Sequence, residues 1–129
     1  MTNANIHAAV EANNAAVGAC DMNAILASFE ENGVLLAQPG MLAQGMPALR
    51  GAFEQFIGMK PQITVNAHDI IQADDIAVHS STWTMTGHAP DGSAFEHNGF
   101  SVVVLRQQAD GRWLIVIDNP FGDLLLQTG

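Results

Sequence analysis

Asp118 is the only carboxylate set inside a strongly apolar β-type run, Trp113-Leu114-Ile115-Val116-Ile117-Asp118-Asn119. Turned inward, such a carboxyl loses hydration, its pKa rises, and it becomes a usable acid or base near neutral pH. The structural alternative is that Asp118 ends the strand and caps the turn at Asn119-Pro120. Five histidines are the other titratable candidates. His7 lies near the N-terminus, and His68, His79, His88 and His97 fall on strands or at their ends. No pair has i, i+4 helical spacing or a short strand spacing, and cysteine ligands are missing, so no metal site is expected. His97, beside Glu96, can titrate near neutral pH and is the second acid/base candidate.

Other chemistries lack their parts. There is no glycine-rich phosphate loop and no Gly-x-Ser-x-Gly elbow. Asp74-Asp75 is a turn and not a calcium loop, because ligands at the later positions are absent. The single cysteine, Cys20, cannot form an internal disulfide and has no basic neighbour to lower its pKa, so it reads as a small buried residue.

Composition narrows the classes further. The 129 residues are 48% hydrophobic and 13% charged, which suits one folded domain, 1–129, with its own core. Four Lys and Arg against 13 Asp and Glu give a formal charge of −9, so nucleic acid and anionic membrane surfaces are disfavoured partners. No apolar stretch approaches the roughly 20 residues of a membrane span, and the first residues lack a signal-peptide pattern. A cytoplasmic protein is expected.

The elements that must position these residues can be read from periodicity. Asn5 to Ala19 is an Ala-rich helix with Ile6, Val10 and Val17 on one face. Asp21 caps a second helix carrying Met22, Ile25, Leu26 and Phe29 and ending near Gly33 as a left-handed cap. Val34 to Gln38 is a strand closed by Pro39-Gly40, and Met41 to Gln44 doubles back. Gly45-Met46-Pro47 opens a third helix with Leu49, Phe53, Phe56 and Ile57 on its apolar face.

From Gln62 the period becomes two. Ile63, Val65 and Ala67 share one face, with Thr64, Asn66 and His68 on the other. In the next strand, Ile76 to His88, the bulky residues change from even to odd positions, which predicts a bulge or bend near His79 to Thr82. Ala94 to Leu105 and Arg112 to Asn119 form the last hairpin. In its final strand Leu114 and Val116 share one face, and Trp113, Ile115 and Ile117 the other. Helices followed by strands predict an α+β fold, a cone-shaped curved antiparallel sheet wrapped on three N-terminal helices, with an apolar interior and an open mouth.

The order of elements, the Gly111-Arg112-Trp113 turn, the Gly45-Met46-Pro47-Ala48-Leu49 helix start and the Pro90-Asp91-Gly92 turn resemble the nuclear-transport-factor-2-like superfamily. Within it, the chain is most similar to small bacterial proteins related to ketosteroid isomerase and the SnoaL-like polyketide cyclases, over about residues 5 to 120. That fold hosts isomerases, cyclases, dehydratases and adaptors, and its members commonly pair as homodimers through the outer sheet face. Ketosteroid isomerase chemistry needs a first-strand carboxylate base, plus a tyrosine and a protonated aspartic acid as an oxyanion hole. The first-strand positions here are Leu36, Ala37 and Gln38, the chain has no tyrosine, and the aspartate position falls near Glu96 to Asn98. Steroid isomerase activity is therefore not expected. The cyclases use an inward acidic residue helped by histidine or asparagine, without metal or cofactor, and Asp118 fits that role.

Three readings follow. The first is a binding protein holding a small apolar or aromatic molecule inside the cone, with Gln38, Phe53, Trp83, Met85, Asn98, Phe100 and Asn119 as candidate contacts. The second is a cofactor-free isomerase, cyclase or dehydratase with Asp118 as acid/base and His97 or Asn119 assisting. The third is a structural or adaptor homodimer without ligand, suggested by a last strand that is apolar on both faces.

Overall fold

The computed structural model describes residues 2–122, with side chains from Ala4 onward. Its elements run α1 (Thr2–Gly18), α2 (Met22–Ala27), β1 (Phe29–Gln38), β2 (Met41–Gln44), α3 (Met46–Ile57), β3 (Gln62–Ala73), β4 (Ile76–His88), β5 (Ala94–Gln107) and β6 (Trp113–Asn119). The strands form one curved six-stranded sheet in the order β2-β1-β6-β5-β4-β3, and the fold is α+β as expected. Four of the five pairings are antiparallel; β1 and β6 run parallel. α1 lies against β3, β4 and β6, and α3 against β1 and β2. Among the described residues, no helix is long and apolar enough to cross a membrane.

The α1 face read from periodicity is the buried one: Ile6, Val10 and Val17 join Ile25, Leu26, Leu49, Phe53, Leu105, Trp113 and Ile115 in the core. Asp21 caps α2 through its side chain, which accepts from the Ala24 N–H. α2 is shorter than its apolar stripe suggests. It stops at Ala27, and Phe29 opens β1 opposite Ile115, because the Ser28 carbonyl accepts from the Ile115 N–H at 2.8 Å. Gly33 is accordingly not a helix cap. It lies inside β1, where a Cβ would sit 3.0 Å from the Phe29 ring and 3.2 Å from the Ile115 carbonyl oxygen.

Cys20 also departs from expectation. It is exposed and takes the left-handed position after α1, φ 56°. The N–H groups of Cys20 and Asp21 bond back to the carbonyls of Val17 and Ala16, a Schellman closure in which glycine is the usual occupant.

Two bulges decide which side chains face the helices. In β3, Val65 pairs with Trp83 but Ala67 with Thr82, so Asn66 is an extra residue. The side-chain alternation shifts by one there. His68, opposite Ser81, joins Ile63 and Val65 on the inner face, and Ala67 goes out, the reverse of strict alternation. The bulge expected in β4 is absent: β4 and β5 pair continuously, odd residues of β4 face inward throughout, and Ile76 and Val78 face outward. In β6, Ile117 pairs with Val104 and Ile115 with Leu105, so Val116 is the extra residue. Ile117 therefore lies outside, apart from Ile115, and Asp118 lies inside.

Candidate active site

The inner face of the sheet and the helices enclose a cavity of about 190 Å³. α1 contributes Val10, Asn13, Asn14 and Val17, and α3 contributes Ala52, Phe53 and Phe56. The sheet supplies Leu35, Ile63, Val65, Ser81, Trp83, Met85, Ser101, Val103 and Ile115, and the turn after β6 closes over it with Pro120 and Phe121. The wall is mostly hydrocarbon, as ligand sites usually are, with a few polar groups set in it.

Asp118 is the one titratable group among the described lining residues. It sits between Val103 on β5 and Leu35 on β1, both apolar. Asp118 is half-buried and lines the cavity. Burial alone pushes its pKa up from 3.8 to about 7, with no compensating cation or hydrogen bond among the described residues. At neutral pH the group therefore exists in both protonation states, able to give or to take a proton.

Two further polar atoms of wall residues lack partners among the described residues. Asn13 Nδ2 and Trp83 Nε1 are buried donors with no hydrogen bond. Each such orphan costs about 1–3 kcal/mol, and an oxygen-bearing guest recovers that loss once the Asn13 amide or the Trp83 indole turns its N–H from the buried position toward the cavity. The Ser81 and Ser101 hydroxyls, directly paired across β4 and β5, add polarity to the same wall.

The sequence candidates divide sharply. Phe53, Trp83, Met85 and Asp118 line the cavity. Gln38 is exposed at the end of β1 and lies outside the lining. Asn98 and Phe100 face the opposite side of the sheet. Asn98 accepts from the Thr84 hydroxyl at 2.7 Å, while Phe100 is 37% exposed opposite Thr82. Asn119, paired with Val102, faces outward too, and its side-chain oxygen accepts from the Phe121 N–H. The turn-capping role considered for Asp118 thus belongs to Asn119. His97 is exposed, packed against Phe95 at a ring separation of 5.1 Å, outside the lining. Asn13 and Asn14 were not among the sequence candidates. Their only signal was two amides interrupting the apolar face of an Ala-rich helix.

The histidines also depart from expectation. Three of the five converge where α1 crosses β3 and β4, outside the cavity wall. His7 Nδ1 is 3.0 Å from His79 Nε2, and the His7 and His68 rings stack at 3.7 Å. His79 is fully buried, and its pKa is lowered to about 4 by burial first and then by the neighbouring His7 and His68.

The chain matches the family described as SnoaL-like domain over residues 10–116. No curated protein matches it in sequence. Among solved structures it is similar to a ketosteroid isomerase-like protein from Erwinia carotovora atroseptica, with TM-score 0.79 and 21% identity over 90% of this chain and 92% of that one. A conserved protein from Planctomyces limnophilus superposes with TM-score 0.82 at 17% identity, covering 92% and 94% of the two chains. A protein of unknown function with a cystatin-like fold from Nostoc punctiforme gives TM-score 0.76 at 17% identity, covering 91% and 87%. At such identities these likenesses speak to fold alone.

Proposed function

The chain belongs to the SnoaL-like domain family, and from that premise we propose that it binds a small, mainly apolar molecule carrying an oxygen acceptor inside the cavity. The observation that carries this reading is the pair of donors, Asn13 Nδ2 and Trp83 Nε1, left without a partner among the described residues in a mostly apolar wall. Size limits the guest. A cavity of about 150 Å³ accommodates benzene, whereas drug-sized ligands occupy roughly 300–1,000 Å³. At about 190 Å³ the site suits a single-ring or short branched compound and is too small for a fused four-ring steroid. Titration with simple phenols and aryl ketones, followed by tryptophan fluorescence, tests this. Saturable binding that Asn13→Leu weakens about five- to thirtyfold is expected, since a bonded buried donor contributes about 1–2 kcal/mol. Binding that Asn13→Leu leaves unchanged overturns it.

A second reading adds chemistry: Asp118 serves as the acid/base of a cofactor-free isomerisation, cyclisation or dehydration. Its support is the carboxyl held near pKa 7 in the wall. A proton taken from a carbon beside the guest's carbonyl leaves charge on that oxygen, where the Asn13 and Trp83 donors would stabilise it. His97 and Asn119, as placed, do not share the wall with Asp118.

The outer sheet face supports self-association. Val34, Ile117, Val104, Val78 and Ile71 are successive cross-strand partners, an apolar row across β1, β6, β5, β4 and β3. Ile117 is 43% and Ile71 68% exposed, and Phe100 lies on the same face. A second copy covering this row would bury it, which an adaptor dimer without ligand also requires. An exposed single thiol at Cys20 suits the reducing cytoplasm.

A further inference from the structure

The geometry points to a transition-metal site: we propose that His7, His68 and His79 bind one zinc ion that clamps α1 to β3 and β4. His7 comes from α1 and His68 and His79 from the β3–β4 hairpin, and one ring nitrogen of each lies within 4.8 Å of the others. Zinc binds imidazole nitrogen at about 2.0–2.1 Å in a tetrahedral arrangement, which sets ligand nitrogens about 3.3 Å apart. His7 Nδ1 and His79 Nε2 stand 3.0 Å apart, already near that spacing.

The supporting shell is partly in place. Glu11, one helical turn after His7, holds its Oε1 3.7 Å from His7 Nε2, the nitrogen turned away from the cluster. At 3.7 Å the pair is beyond hydrogen-bond distance, and the turn of the His7 ring that zinc requires must also close this gap; the carboxylate then accepts the Nε2 proton and leaves Nδ1 free to ligate, the usual role of an outer-shell acid at a metal-bound histidine. His79 is the fixed anchor, fully buried in β4. His68 is exposed and His7 half-buried, so these two rings can turn. They must do so, because the three rings lie nearly parallel, within 9° of one another, and their in-plane lone pairs have to fan toward one point.

Three histidines and no cysteine favour zinc, nickel or copper over calcium or magnesium, which take oxygen ligands. Three protein ligands leave a fourth position for water. The bulge at Asn66 is what makes the cluster possible, since only the shifted alternation turns His68 toward α1. The clamp bears on the cavity through α1, which carries Val10, Asn13 and Asn14 to its wall.

The test uses the full chain without a histidine tag, treated with EDTA, dialysed and titrated with zinc chloride by calorimetry. One zinc per chain is expected, with a rise of several degrees in Tm under saturating zinc. Cobalt substituted at the site should give the visible absorption of a four-coordinate ion. His68→Gln, at an exposed position that leaves folding intact, and His7→Gln should each weaken zinc binding at least about tenfold and abolish the cobalt spectrum. His88→Gln, outside the cluster, should change neither. Absence of saturable zinc binding overturns the proposal, as does binding that survives both His7→Gln and His68→Gln undiminished.

Discussion

Ile115 and Asp118, three residues apart on β6, present their side chains to the same face of the sheet, which an uninterrupted strand forbids. The extra residue at Val116 permits it, setting Ile115 opposite Leu105 and Asp118 opposite Val103. One bulge thus carries a carboxyl into an apolar cavity and delivers Asn119 to the outer face, where it caps the next turn.

The buried carboxyl makes stability depend on pH in a direction opposite to the usual acidic residue. Its folded pKa, about 7, lies above the unfolded value near 3.8, so between these the folded chain holds a proton that the unfolded chain has released. Stability from this group therefore falls as pH rises from about 4 to 7 and stays low above. The difference corresponds to at most about 4 kcal/mol, less to the extent that water reaches the carboxyl through the cavity. Asp118→Asn, isosteric and uncharged, should be more stable than wild type at pH 8.5 and close to it at pH 4.5. Urea unfolding at both pH values measures this, and parallel pH profiles for the two proteins would exclude a buried ionisable Asp118.

How much of this was legible beforehand follows from the same two bulges. Helix faces, the β1–β2 turn at Pro39-Gly40 and the β3–β6 meander are written in periodicity and turn residues, and they stand in the structure. Alternation beyond Asn66 and Val116 was misread because neither position carries a glycine or proline to mark a break. The expectations about sheet faces that these two bulges displace are that Ala67 and His68 exchange faces and that Ile117 parts from Ile115. Asn98 and Phe100 could not be assigned to a face without the β4–β5 register. The histidine cluster was hidden for two reasons. His68 reads as outward on strict alternation, and no local spacing links His7 on a helix to His79, 72 residues on.

Asn13 should trade stability against ligand binding. Its buried Nδ2 has no partner among the described residues, so replacing the amide by hydrocarbon removes a desolvation cost of about 1–3 kcal/mol. Asn13→Leu should raise the urea midpoint of the ligand-free protein while weakening guest binding, the pattern of a residue retained for function. A lower midpoint would show that leucine's extra volume outweighs the relieved polar atom.

The outer apolar row should control assembly. Ile117 is 43% exposed and lies in the row between Val34 and Val104, so Ile117→Lys places a charge there without disturbing the core. Sedimentation at micromolar concentration should show a dimer for wild type and a monomer for the variant, with unchanged circular dichroism. A wild-type monomer would remove the assembly role of this face.

Cys20 offers a stabilising change remote from the cavity. A non-glycine residue in the left-handed region costs about 1–2 kcal/mol, offset in part by the smaller freedom it has when unfolded. Cys20→Gly should therefore stabilise by about 0.5–1 kcal/mol, read as a higher urea midpoint at unchanged slope.

Gly99 governs where the Trp83 indole lies. The two residues are directly paired across β4 and β5, and a Cβ added at Gly99 would fall 2.2 Å from the indole carbon Cζ2. Gly99→Ala must push the ring, and with it Nε1, out of its place in the cavity wall. A cost of about 1–3 kcal/mol is expected from overpacking. Trp83 and Trp113 are the chain's two tryptophans, so Gly99→Ala in a Trp113→Phe background isolates the effect. A red-shifted Trp83 emission together with weakened phenol binding is the expected result. If binding is instead unaffected while the emission shifts, Trp83 Nε1 is not a donor to the guest, and Asn13 alone would hold it.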